Sequence, residues 1–139
     1  MKYKRFNDTF AVRIDKDEEI MEKLACLCEQ EGISLAQVDA IGAADQAEIG
    51  VYDLEARAYH REALEGFMEI TSLSGSVTAM DGKPYIHLHA TLVDQNHIVH
   101  GGHALKLRVG ATCEMFVRVM EGSVGRKKDE VLGINLWEI

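Results

Sequence analysis

Five of the six histidines fall between positions 87 and 103: His87, His89, His97, His100 and His103. In an extended strand, residues i and i+2 project from the same face, roughly 6.5–7 Å apart. His87-Leu88-His89 therefore sets two imidazoles side by side and turns Leu88 to the opposite, buried face. Thr91 continues the histidine face and Ala90 the other. Two such rings can converge on one divalent ion, each nitrogen about 2.0–2.1 Å from it. A catalytic-type zinc site needs a third protein ligand. The candidate is His103, in Val99-His100-Gly101-Gly102-His103, where two glycines let the backbone turn sharply or approach another element closely. An all-nitrogen set suits Zn²⁺ and also accepts Ni²⁺, Co²⁺ or Fe²⁺. Three histidines would leave a position open for water or substrate. The plainer reading is a polar outward row, or an interface row, on a sheet face. His97 and His100 read as solvated loop residues, and His60 as a surface or interface residue. Glu69, the one acid in Phe67-Met68-Glu69-Ile70, reads as an outward strand position. Its functional alternative is a group supporting the metal or acting as general base.

Other chemistries find less support. Gly101-Gly102 lacks the pattern of a phosphate loop, and Ser72-Leu73-Ser74-Gly75-Ser76 only superficially resembles a nucleophile elbow. The three cysteines, Cys26, Cys28 and Cys113, are an odd number with no matched Cys/His pair, so they read as reduced thiols in the core. Arg126-Lys127-Lys128, followed at once by Asp129 and Glu130, reads as a solvated loop.

The elements that must carry these residues are mostly strands. Lys2–Phe6 and Thr9–Ile14 flank an Asn7-Asp8 turn. Asp15-Lys16-Asp17-Glu18 has the spacing of a capping box. Ile20, Leu24, Leu27 and Cys28 then follow at helical intervals, predicting one amphipathic helix over about residues 17–31 that Gly32 ends. Strands are expected at 34–44, 47–53, 55–61, 68–78, 85–93, 112–120 and 132–138, with Met80-Asp81-Gly82-Lys83-Pro84 as a turn. The reading is a single α+β domain over residues 1–139, a mainly antiparallel sheet with one or two packed helices.

Composition agrees. At 47% hydrophobic and 27% charged residues, with one proline, the chain can bury a core without disulfides. It shows no apolar run of the roughly 18–20 residues that span a bilayer and no apolar leader at its start, so the cytoplasm is the expected address. The 15 Lys+Arg and 23 Asp+Glu give a net charge of −8. The surplus lies in residues 1–72, which hold 16 acids and 8 bases, whereas residues 73–139 hold 7 of each. Duplex binding draws on phosphate neutralisation, which such a surface opposes unless a local basic patch overrides it.

Three segments in joint order resemble the plant and prokaryote conserved (PPC) domain family. They are Glu69-Ile70-Thr71-Ser72-Leu73-Ser74-Gly75, Gly82-Lys83-Pro84-Tyr85-Ile86-His87-Leu88-His89, and Val99-His100-Gly101-Gly102-His103 before the strand with Cys113-Glu114-Met115. The resemblance runs from about Phe10 to Trp137. It implies a compact domain with a mainly antiparallel sheet, a homotrimeric assembly, and metal at His87, His89 and His103. It also implies the DNA-binding role attached to prokaryotic members, although this chain has no Arg-Gly-Arg-Pro hook for the minor groove. The expectation is a trimeric binding or regulatory protein with a divalent-metal site, Zn²⁺ first. The alternatives are a small zinc-dependent enzyme acting on a small molecule, with Glu69 as base, and a purely structural assembly protein. Pairing between subunits would also cover exposed sheet edges.

Overall fold

The computed structural model describes residues 1–139. Eight strands and one helix follow in the order β1 (Lys2–Phe6), β2 (Thr9–Asp15), α1 (Ile20–Glu31), β3 (Ala36–Asp53), β4 (Ala58–Met80), β5 (Lys83–Asp94), β6 (Val99–Val119), β7 (Gly125–Lys128) and β8 (Asn135–Glu138). All pairings but one are antiparallel. The exception is a single parallel bridge from β4 to β7, Ala79 to Gly125.

The expected α+β class holds, with one helix. Several strands expected as separate pieces are continuous. The segments 34–44 and 47–53 are one strand, β3, because bulges at Ala40/Gly42 and Ala44/Gln46 interrupt the alternation without ending the pairing. Likewise 55–61 and 68–78 merge in the 23-residue β4. β6 takes in Gly101 and Gly102, so the glycines serve close approach rather than a turn. His100 is correspondingly a half-buried strand residue, and only His97 stays in an exposed turn.

The ladder closes on itself. β3 pairs β4, β4 pairs β5, β5 pairs β6, and β6 returns to β3. Inward-facing Val38, Ile70, Leu73, Leu88, Leu92, Leu107 and Val117 fill the resulting core. The helix covers it with Ile20, Leu24, Leu27 and Cys28. It begins three residues later than expected. Asp17, at φ 68°, first makes a turn in which the Asp15 N–H donates to Glu18 Oε2 at 2.9 Å. The cap falls on Glu19, whose carboxylate accepts from the Glu22 N–H at 2.7 Å and from the Leu107 N–H at 2.9 Å. One side chain thus starts the helix and ties it to β6. Gly32, at φ 65°, ends it in the left-handed conformation.

Cys28 and Cys113 are core thiols as expected, but Cys26 is exposed, because two residues along a helix turn the side chain to another face.

Candidate metal centre

Strand pairing brings the three histidines together. His89 on β5 stands directly across from His103 on β6, and His87 lies two residues along β5 on the same face. On its other side His103 pairs with Gly50 of β3. A Cβ at Gly102 would lie 2.7 Å from the Gly50 carbonyl oxygen, so glycine beside His103 lets β6 and β3 close up at this point. Leu88 is fully buried on the reverse face, as alternation requires.

The ring centroids of His87, His89 and His103 are 5.1–5.6 Å apart, and a ligating nitrogen from each lies within 4.8 Å of the others. Tyr59 of β4 stacks on His103 at 5.0 Å with 25° between the planes, fixing that ring from outside. Burial, followed by the neighbouring His87 and His89, pushes the His103 pKa down to about 4. Burial likewise lowers that of His87, with Arg126 and His89 adding to it. These rings are thus held neutral, the form that donates a lone pair to a cation.

The site fits a metal on a further ground. His103 Nδ1 is buried without any hydrogen-bond partner. Orphaned buried polar atoms are rare in folded proteins, and an ion among the three rings would give the cluster the partner the protein withholds.

The histidines form one wall of a cavity of about 590 Å³. Tyr52 and Tyr59, from the β3–β4 hairpin, and Tyr85 contribute aromatic surface, while the C-terminal β7–β8 hairpin adds Arg126, Ile134 and Asn135 to the lining. Arg126 is a residue that sequence reasoning missed. Its run was expected in a solvated loop, but the bridge to β4 turns it inward. Its Nε donates to Thr78 Oγ1 at 2.7 Å and its Nη1 to the Asn135 carbonyl at 2.8 Å. Its Nη2 lies 3.4 Å from His87 Nδ1, and its guanidinium covers the Tyr85 ring at 4.4 Å. Lys127 and Lys128 remain exposed.

The other expected residues lie elsewhere. Glu69 is exposed on β4 and faces a separate surface depression with Phe67 and Thr71. His60 is exposed, 2.9 Å from Asp53. His100 sits between Glu62 and Asp94, at 3.6 and 3.4 Å.

The whole fold recurs among solved structures. A metal-containing protein from Archaeoglobus fulgidus is 35% identical, with a TM-score of 0.90 and full coverage of both chains. A plant- and prokaryote-conserved protein from Pyrococcus horikoshii is 30% identical, with a TM-score of 0.88 over 99% of this chain and 94% of that one. A candidate DNA-binding protein from Bacteroides thetaiotaomicron is 26% identical, with a TM-score of 0.96 over 99% and 96% of the two chains. No curated protein matches the sequence. The model of the Plants and Prokaryotes Conserved (PCC) domain matches residues 1–121. That span holds the helix, the closed ladder and all three histidines, and the chain belongs to this family.

Proposed function

We propose that this chain is a metal-centred binding protein of its family, in which His87, His89 and His103 hold a divalent ion, zinc first, at the wall of a small-molecule cavity. The observation that carries this reading is the convergence of three imidazoles, one with an orphaned buried nitrogen, on an accessible cavity. The metal-containing designation of the Archaeoglobus fulgidus relative supports it. When bound, such an ion supplies a Lewis-acid position open to a ligand. The chain's own residues favour the neutral forms of His87 and His103, clamp His103 beneath Tyr59 and set the Arg126 cation beside His87.

The test is metal content per chain of untagged, native-mass protein beside the His87→Ala/His89→Ala double variant. Near-stoichiometric ion, lost in the variant, is the expected result. No ion after zinc is supplied would overturn the reading.

Homotrimeric assembly is part of the proposal. Exposed Ile41, Phe67 and Phe116 on neighbouring strands β3, β4 and β6 offer apolar surface for it. Light scattering at native mass tests it.

DNA binding is the second reading, favoured by the designation of the Bacteroides thetaiotaomicron relative and by exposed Lys2, Lys4 and Arg5 on β1 beside Arg13 on β2. The net charge of −8 opposes it. A duplex anisotropy change that weakens steeply with salt would support it, and no change at low salt would remove it.

A further inference from the structure

Arg126 is a half-buried cation whose polar partners include no carboxylate. They are the Thr78 hydroxyl, the Asn135 carbonyl and a histidine nitrogen. Three other arginines are matched to carboxylates: Arg108 holds Asp45 at 2.8 and 2.9 Å, Arg61 meets Glu48 at 3.0 Å and Arg13 meets Asp15 at 2.9 Å. Arg5, Arg57 and Arg118 have no carboxylate partner but are exposed, so water solvates their charge. A guanidinium carries five N–H donors. Thr78 and Asn135 take one each, at Nε and Nη1, which orients the group and leaves its Nη2 end toward the histidines. A desolvated cation without a counter-charge is costly, and a bound anion removes that cost. Arg126 is also the one permanently charged side chain lining the cavity.

The rest of the lining defines the anion. Sheet pairing already engages most of the backbone N–H groups near the site, and no helix N-terminus faces it, so the convergent donors that surround a phosphate are missing. The Tyr52 hydroxyl is engaged with the Leu132 carbonyl at 3.2 Å, and the Tyr85 hydroxyl accepts from Asn135 at 3.3 Å. Tyrosine faces and Ile134 supply apolar contact for a carbon body. A volume of about 590 Å³ lies within the ordinary range for small-molecule sites.

We propose that the cavity takes a small carboxylate with an apolar body, its charge held by Arg126 beside the three histidines. This rests on the reading of those histidines as a metal centre.

The experiment uses zinc-reconstituted full-length protein, titrated calorimetrically with isobutyrate and benzoate, with isobutyramide and benzamide as uncharged counterparts and inorganic phosphate as the competing oxyanion. The carboxylates bind and the amides do not. Arg126→Gln keeps its zinc and its circular dichroism while carboxylate affinity falls about tenfold or more, the loss of a charge-assisted hydrogen bond. Arg126→Lys, which keeps the charge without the fork, falls between the two. Binding unchanged in Arg126→Gln, equal binding of the amides, or phosphate binding more tightly than either carboxylate would overturn the proposal. Zinc retained with no carboxylate bound removes this proposal alone. Zinc not retained by the wild-type chain removes the metal reading, and this proposal with it.

Discussion

Thr78 Oγ1 accepts a 2.7 Å hydrogen bond from Arg126 Nε, and Thr78 is the one residue with a polar side chain in an otherwise apolar buried set. A buried hydroxyl is costly unless paired, and here the partner arrives from a strand 48 positions away. The Thr78 hydroxyl also lies 3.4 Å from the Tyr85 carbonyl, so it links β4, β5 and β7 at the rim of the cavity.

Thr78→Val should therefore leave the sheet intact and release Arg126. Denaturant unfolding is expected to show a loss of about 1–2 kcal/mol. Carboxylate affinity should fall as in Arg126→Gln while zinc stays, and Thr78→Ser should restore both. A valine variant with undiminished carboxylate binding would mean that Thr78 does not position the guanidinium.

The histidines make the metal-free protein acid-sensitive in a defined window. His103 is a base whose pKa is lowered on folding, from 6.5 to about 4, so folding favours its neutral form. Its contribution to stability is complete above 6.5 and is lost as pH falls through 6.5 toward 4, because the unfolded chain takes up the proton first. His87 shifts in the same direction. Scanning calorimetry of chelator-treated protein should show Tm falling across that interval, with a shallower fall in His103→Gln. Parallel profiles for the two proteins would contradict the assignment.

Gly75 on β4 pairs with Leu88 of β5, the residue between His87 and His89. A Cβ at Gly75 would lie 2.0 Å from the His87 carbonyl oxygen and 2.9 Å from Leu88 Cα, and backbone atoms cannot step aside. Gly75→Ala is expected to cost about 3 kcal/mol, the upper end of an overpacking penalty, and to reduce zinc retention by shifting His87. Gly82→Ala is the matched comparison. It has no atom within 4 Å of the added Cβ, so only its φ of 75° opposes the change, at about 1 kcal/mol and with metal content intact. Equal zinc loss in both would show that global stability, not local geometry, is being read.

Thiol labelling separates the three cysteines. Burial pushes Cys28 and Cys113 up to about 12, whereas Cys26 is exposed. Iodoacetamide on the native chain should modify Cys26 alone, and all three after denaturation, counted by intact mass. Early labelling of Cys28 would mean that the helix opens.

How far the sequence discloses this arrangement depends on the range of each interaction. His87-Leu88-His89 is legible because a two-residue period decides the face, and Gly32 because one residue supplies a left-handed stop. His103 could be placed through the need for a third ligand and the adjoining glycines. The unity of β3 is hidden, since bulges near Gly42 and Asp45 break its alternation while its hydrogen bonds continue on both sides. Arg126 is hidden more deeply. Its run looks solvated in isolation, and only the parallel bridge of Gly125 to Ala79 turns it inward. Tyr59 escaped for a like reason: it meets His103 across β3, and although the β3–β4 hairpin is local, the pairing of Gly50 with His103 is not.

The family pattern covers the two sides of the cavity differently. The histidines lie inside the matched span of residues 1–121, and Arg126, Ile134 and Asn135 lie beyond it, on a hairpin joined to β4 by one bridge. Substitutions in that hairpin can therefore change which guest the cavity accepts while leaving the imidazoles in place.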